Sequence, residues 1–162
     1  MESRAKLLGH PVHPMLVVFP LGLLTTAGVF DVVSLLSRRA IFGTVGFWNI
    51  VAGKIGAVAA AVFGLWDWLA IPWGTRAKSV GLWHAAGNTI VLALFGTSML
   101  LRRRDPAHRP GTVTAGLELV GLVFAAVSGW LGGELVDRLG VGVDKGAHLN
   151  SPNALSGRPA HE

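Results

Sequence analysis

The chain has 162 residues, of which 51% are hydrophobic and only 14% are charged, and its mean hydropathy is +0.54. A soluble domain carries about 25% charged residues, so this composition excludes an ordinary soluble protein and allows a single membrane domain. The absence of cysteine excludes disulfides, zinc–thiolate sites and iron–sulfur ligation. The net charge of +5 comes from basic residues grouped at the ends of apolar runs, which is typical of membrane topology and argues against a nucleic-acid partner.

Four apolar segments are each long enough to cross a bilayer as a helix, which takes about 20 residues. They cover residues 14–36, 47–71, 81–101 and 113–136, joined by loops over 37–46, 72–80 and 102–112. The first segment is too long for a cleaved signal peptide and no cleavage site follows it, so we interpret it as a retained helix. The predicted fold class is all-α: an integral membrane four-helix bundle over residues 1–144 with a short disordered C-terminal tail over 145–162.

Four spans place both chain termini on one side of the membrane. The two loops on the other side are dense in arginine, which predicts that they face the cytoplasm and that the termini lie outside. These arginines are Arg38, Arg39, Arg102, Arg103, Arg104 and Arg109. The lipid bilayer is therefore the first partner that the sequence predicts.

The first span opens with the sequence "GHPVHPMLVVFPLGLL", in which His10 and His13 each precede a proline. A residue before proline is disfavoured in the α conformation, whereas Pro14 suits the first turn of a helix. His13 is therefore expected at the start of the first helix. Pro20 has no N–H for the carbonyl of Leu16, which predicts a kink there.

Further polar residues lie at the same depth as these histidines. Asp67 is about one turn inside the end of the second span, and Glu134 closes the fourth span at the same level. His84 and Asn88 share one face at the start of the third span, because residues four apart are neighbours on a helix. Lipid offers an imidazole no hydrogen-bond partner, so we expect His13 and His84 to turn towards each other inside the bundle, with the remaining residues around them.

The opposite half of the bundle contains Asp31, Lys54 and Glu118, each one to two turns inside a span. Charged side chains at such depth pair with one another or extend to the interface. We interpret the three residues as a structural ion-pair cluster, favoured over a conduction path, in which Lys54 pairs with Asp31 and Glu118 is the alternative partner.

The segments "GHPVHPMLVVFPLGL", "GLWDW", "HAAGN" and "SGWLGGELVDRLGVGV" together resemble a family of bacterial membrane proteins, domain-of-unknown-function family 2231. The resemblance covers roughly residues 8–144, and the positions that match its motifs are His10, His13, Asp67, His84 and Asn88. One position departs from the family pattern: Asp137 stands where an aromatic residue is usual. Family members occur fused to Rieske-type or cytochrome domains, which implies electron transfer, and the resemblance implies a multi-pass protein of the bacterial cytoplasmic (inner) membrane.

The leading functional hypothesis is a membrane b-type haem protein that carries electrons. Two imidazoles from different helices, His13 and His84, would hold non-covalent haem b, with His10 within reach of the same site. The groups expected to orient these ligands are Asp67, Asn88 and Glu134. A redox protein partner and a homo-oligomer are compatible with this hypothesis.

Two alternatives stay open. The first is a divalent metal ion without porphyrin, held by His10, His13, His84, Asp67 and Glu134, a nitrogen and oxygen ligand set that suits zinc, iron or copper. The second is an accessory or transport subunit with a polar cluster at the same place. Because the sequence has no nucleophile-and-base signature, it favours an electron carrier or binding protein over a catalyst.

Overall fold

The computed structural model describes all 162 residues, most of which lie in helices long and apolar enough to cross a membrane. A short helix α1 (Val12–Leu16) leads into α2 (Val18–Ser37), and together they form the first span. Helices α3 (Ala40–Ala70), α4 (Arg76–Arg102) and α5 (Thr112–Gly133) follow, and a π-helical turn over Glu134–Arg138 extends α5. The predicted fold class, a helical membrane bundle, is confirmed.

The break between α1 and α2 falls at Val17, three residues before Pro20. The carbonyl of Leu16 faces the ring nitrogen of Pro20, which has no hydrogen to donate, so the regular pattern of bonds is interrupted there. The N–H of Leu21 resumes the pattern by donating to the carbonyl of Val17 at 3.1 Å. The interruption agrees with the kink that the sequence predicts.

The second span begins at Ala40, seven residues earlier than predicted, so the first loop shrinks to Arg38 and Arg39. The prediction differs because the two glycines in "AIFGTVG" favour a loop when the sequence is considered alone. A Cβ on Gly43 would lie 2.8 Å from Cδ of Pro110, and one on Gly46 would overlap the carboxylate of Asp31. These glycines allow close approach inside a helix, and they do not mark a turn.

The third span also begins earlier than predicted, at Arg76. Thr75 caps this helix, since its side-chain oxygen accepts a hydrogen bond from the N–H of Lys78 at 3.2 Å. Lys78 is buried against α3: its ammonium donates to the carbonyl of Trp68 at 2.8 Å and lies 3.8 Å from the centre of that indole ring. Polar residues at the start of the span are thus accommodated by contacts with the neighbouring helix.

The bundle consists of two helical hairpins, α2–α3 and α4–α5, which pack more extensively within themselves than against each other. A small apolar core joins them, formed by Leu24, Ala27, Ile50, Val91 and Phe95. Large apolar side chains on every span point outwards, among them Leu21, Ile55, Leu82 and Val123. This outer surface contacts the lipid of the membrane.

A two-stranded hairpin, β1 (Lys6–Leu7) and β2 (His10–Pro11), precedes α1 and lies on the same face as the chain segment after α5. The amino group of Met1 donates to the carbonyl of Gly140 at 2.5 Å, which places both ends of the bundle on one side. Lys6 bridges Glu2 (3.1 Å) and Asp144. The hydrogen bond from Lys6 holds the pKa of Glu2 below its usual value.

The tail over residues 145–162 contains turns and one short 3₁₀ helix, Ala154–Ser156. Its Ser151 hydroxyl donates to the carbonyl of Ala160 at 2.7 Å, and Ala154 lies so close to Gly9 that a Cβ on that glycine would be 2.7 Å away. The tail makes these contacts outside the helical bundle. The predicted disorder of this segment is not confirmed.

Candidate histidine site

His13 lies in the first turns of the first span, where Pro14 fixes the start of the helix. Its Nδ1 atom is 2.8 Å from the backbone carbonyl of Ala60 in α3. A carbonyl only accepts hydrogen bonds, so Nδ1 carries the hydrogen, and Nε2 of the neutral ring carries a lone pair. The contact therefore fixes both the orientation and the tautomer of this imidazole.

His84 is held in the same manner from the other hairpin. Its Nδ1 atom is 2.8 Å from the backbone carbonyl of Ser128 in α5, which again assigns the hydrogen to Nδ1. The Nδ2 amide of Asn88, one turn along α4, lies 3.1 Å from Nε2 of His84 and also donates to the His84 carbonyl at 3.0 Å. Asn88 therefore contacts His84, as its position one turn away on the same helix face predicts.

The two imidazoles face each other across the contact between the hairpins. Their ring centres are 6.2 Å apart and their planes are nearly perpendicular, at 84°. Each ring is anchored through Nδ1 to the backbone of a different helix, so each keeps Nε2 as the nitrogen with a lone pair. The structure thus brings together the pair of histidines that helix depth and direction predict.

Small residues surround this pair. A Cβ on Gly64 would lie 2.8 Å from Nδ1 of His13, and a Cβ on Gly132 would lie 3.2 Å from Cε1 of His84. Glycine at these two positions is what lets the imidazoles lie against the helix backbones.

Close by, the hydroxyl of Ser128 is buried beside Gly87 and has no hydrogen-bond partner. A buried polar atom of this kind is uncommon in folded proteins.

The other residues predicted for this site are engaged elsewhere. His10 is exposed on β2 and lines a surface cavity with Met15 and Val136. Asp67 binds the N-terminal segment: its carboxylate accepts hydrogen bonds from Ser3 Oγ and from the N–H of Arg4, both at 2.7 Å. The N-terminal segment therefore binds a partly buried carboxylate that the sequence alone assigned to the histidines.

Glu134 is the second correction at this level. Its carboxylate is paired with Arg76 at the start of α4, at 2.5 Å, and so does not face the histidines. No group of three or more His, Asp or Glu side chains in the structure is arranged to hold a metal ion. The predicted five-residue metal site of His10, His13, His84, Asp67 and Glu134 is therefore not assembled.

The charged cluster in the opposite half has a different cation from the one predicted. Nη1 of Arg102 lies 2.6 Å from Oδ2 of Asp31, and Nη2 lies 3.3 Å from Oε1 of Glu118. Lys54 forms no ion pair with either carboxylate: Arg102 contacts both of them, and the ammonium of Lys54 lies against Gly96. The sequence assigned Arg102 to a loop, whereas it is the last residue of α4 and is buried.

The loop after α4 closes over this cluster. The imidazole of His108 stacks on the ring of Phe47, with centres 3.8 Å apart and planes 7° apart. Asp105 shapes the loop, since its carboxylate accepts hydrogen bonds from the N–H groups of Ala107 and Arg109, both at 3.0 Å. These bonds lower the pKa of Asp105, the largest effect coming from Ala107.

A family model described as "Predicted membrane protein (DUF2231)" matches residues 9–145. The matched range includes the paired histidines of the N-terminal segment, all four spans and the π-helical turn. No curated protein and no solved structure matches the chain.

Proposed function

The chain belongs to this family of membrane proteins, and we propose that it is a b-type haem protein that carries electrons within the membrane. The observation that supports the proposal is the pair of opposed imidazoles, His13 and His84, each held through Nδ1 by a backbone carbonyl. Histidines that ligate a metal almost always donate their other N–H to such an acceptor.

The two rings lie close enough for both to contact one bound haem. The observed distance between ring centres is 6.2 Å. The tautomers also fit, since a nitrogen that binds iron must offer a lone pair and both rings keep one on Nε2.

The chain's own residues would hold the group and adjust its properties. His13 and His84 would hold the haem through Nε2, and the carbonyls of Ala60 and Ser128 would keep the rings in place. Asn88 now contacts Nε2 of His84, so its amide would turn away while it keeps its bond to the His84 carbonyl. When bound, haem supplies a reversible one-electron change at iron, and the protein supplies binding, orientation and the surrounding dielectric.

Orientation and partners follow from the same proposal. We place the arginine-rich loops in the cytoplasm and both termini outside the bacterial inner membrane, where the histidine pair lies close to the outer surface. A haem at that depth would exchange electrons with a redox protein docked on the face that carries the termini. A homo-oligomer is compatible with this arrangement.

The direct test is an absorption spectrum of the protein purified in detergent after expression with a haem precursor. The proposal predicts a Soret band and a low-spin electron paramagnetic resonance signal typical of two imidazole ligands. Replacing His84 or His13 with alanine should abolish low-spin haem. Matched controls are His108→Ala and His161→Ala, which remove imidazoles outside the bundle interior and should leave the spectrum unchanged.

Three results would contradict the proposal. The first is wild-type protein that remains without a Soret band when reconstituted with haem. The second is a low-spin haem signal that survives in both His13→Ala and His84→Ala. The third is a stoichiometric transition metal in protein that has no Soret band, which would favour a bare metal ion over haem.

A further inference from the structure

The buried cluster in the opposite half of the bundle has more negative than positive groups. It consists of the carboxyl groups of Asp31 and Glu118 and the guanidinium of Arg102, and all three side chains are at most 3% exposed. If every group were ionised, the cluster would carry one uncompensated negative charge. An isolated ionised carboxylate in such a place is so costly that it takes up a proton instead.

The hydrogen bonds in the cluster show where that proton is needed. The hydroxyl of Ser98 donates to Oε1 of Glu118 at 2.5 Å, and Arg102 approaches the same oxygen. Oε2 of Glu118 and Oδ1 of Asp31 are both buried and have no donor. The two carboxyl groups contact the same guanidinium, through Oδ2 of Asp31 and Oε1 of Glu118. A hydrogen on one of the two carboxyl groups would remove the uncompensated charge.

No other cation is positioned to replace the proton. Among the groups on the surrounding elements, Lys54 of α3 lies against Gly96 of α4 and forms no ion pair. On the loop side, His108 stacks on Phe47, and its Nδ1 atom lies 3.3 Å from the backbone carbonyl of Arg102, away from both carboxylates. The charge of Arg102 therefore balances one carboxylate and leaves the second one uncompensated.

We propose that Asp31, Arg102 and Glu118 form a proton-binding site within the membrane, in which the carboxyl groups of Asp31 and Glu118 share one proton taken up from water. This site lies at the opposite end of the bundle from the histidine pair, and it requires no cofactor. It gives the protein a buried acid whose proton is retained at a pH where exposed carboxylates are ionised.

Infrared spectroscopy of the full-length protein in lipid nanodiscs tests the site directly. At pH 7, wild-type protein should show the carbonyl stretching band of a protonated carboxyl group, although exposed carboxyl groups with a pKa of about 4 are ionised. Either Asp31→Asn or Glu118→Gln should abolish the band, because Arg102 then balances the one carboxylate that remains. Replacing the exposed Glu2 with glutamine is the matched control and should leave the band unchanged.

The wild-type measurement decides the question even if a variant fails to fold. Absence of the protonated-carboxyl band at pH 7 in wild-type protein would overturn the proposal. Survival of the band in a folded Asp31→Asn or Glu118→Gln protein, with helical content confirmed by circular dichroism, would also overturn it. Because no cofactor enters the measurement, its result is independent of whether the histidine pair binds haem.

Discussion

Arg102 and Asp31 connect the two hairpins through a buried ion pair, with Nη1 of the guanidinium 2.6 Å from Oδ2 of the carboxylate. Arg102 ends α4 and Asp31 lies in α2, so the contact crosses the surface along which the hairpins meet. A second contact from the same guanidinium reaches Glu118 of α5. One side chain thus joins three spans at the end of the bundle where the arginine-rich loops lie.

Replacing Arg102 with glutamine should strongly destabilise the protein. Removing one partner of a buried ion pair leaves the other charge unpaired, which costs about 3–5 kcal/mol. The measurement is the free energy of unfolding in detergent, followed by circular dichroism. Arg103→Gln is the matched control, because Arg103 is the next residue and is exposed, so its replacement should change stability by no more than about 0.5 kcal/mol. Equal effects of the two substitutions would contradict the role given to Arg102.

The sequence could predict four spans but not all of their ends, and Gly43 and Gly46 show why. Hydropathy reports the apolar stretch that a bilayer requires, whereas the ends of a helix depend on contacts with the rest of the chain. Both glycines favour a loop when the sequence is considered locally. In the structure they lie inside α3, because Pro110 and Asp31 occupy the space that a side chain would need.

Gly64→Ala should displace His13 and weaken its bond to Ala60. The new Cβ would lie 2.8 Å from Nδ1 of the imidazole, which is too close for atoms that are not bonded. Overpacking of this kind costs about 1–3 kcal/mol, more than the gain of about 0.5–1 kcal/mol that alanine brings to a helix. Thermal unfolding in detergent measures the balance.

The control for this substitution is Gly129→Ala in α5. Nothing lies within 4 Å of a Cβ at that position, so the substitution should be neutral or slightly stabilising. If Gly64→Ala stabilises the protein as much as Gly129→Ala does, His13 is free to move and is not fixed against Gly64.

Asp67→Ala should release the N-terminal segment and leave the histidine pair in place. The carboxylate of Asp67 accepts hydrogen bonds from Ser3 Oγ and from the N–H groups of Arg4 and Ala5, at 2.7 to 3.4 Å. Its removal leaves these donors without a partner, so hydrogen–deuterium exchange at Arg4 and Ala5 should become faster. Asp137→Ala is the control, because that exposed carboxylate makes no such bonds. Unchanged exchange in Asp67→Ala would mean that other contacts hold the segment.

The sequence could also predict part of the candidate site, namely His13, His84 and Asn88, whose depth and helical spacing determine which way they point. It could not predict the contacts of Asp67, because those depend on how a polar segment outside the membrane folds back onto the bundle.

The sequence also does not identify Arg102 as the buried cation, because Arg102 is the first of three consecutive arginines, a pattern that favours a loop. One signal was available: two carboxylates at one depth require a cation, and Arg102 is one turn from Ser98 on the same helix face.

The loop over Arg102 should loosen in acid, and Asp105 sets the pH at which it does so. The backbone N–H of Ala107, followed by that of Arg109, holds the pKa of Asp105 below its usual value of about 3.9. A carboxyl group whose pKa is lower in the folded state stabilises the fold above its unfolded pKa, and that contribution is lost as the pH falls through the folded pKa. The amide shifts of Ala107 and Arg109 in a nuclear magnetic resonance titration should therefore move together, with a midpoint below 3.9. Asp105→Asn should remove this step and make the loop more sensitive to trypsin at neutral pH, whereas a midpoint at or above 3.9 would show that the two amides do not hold the carboxylate.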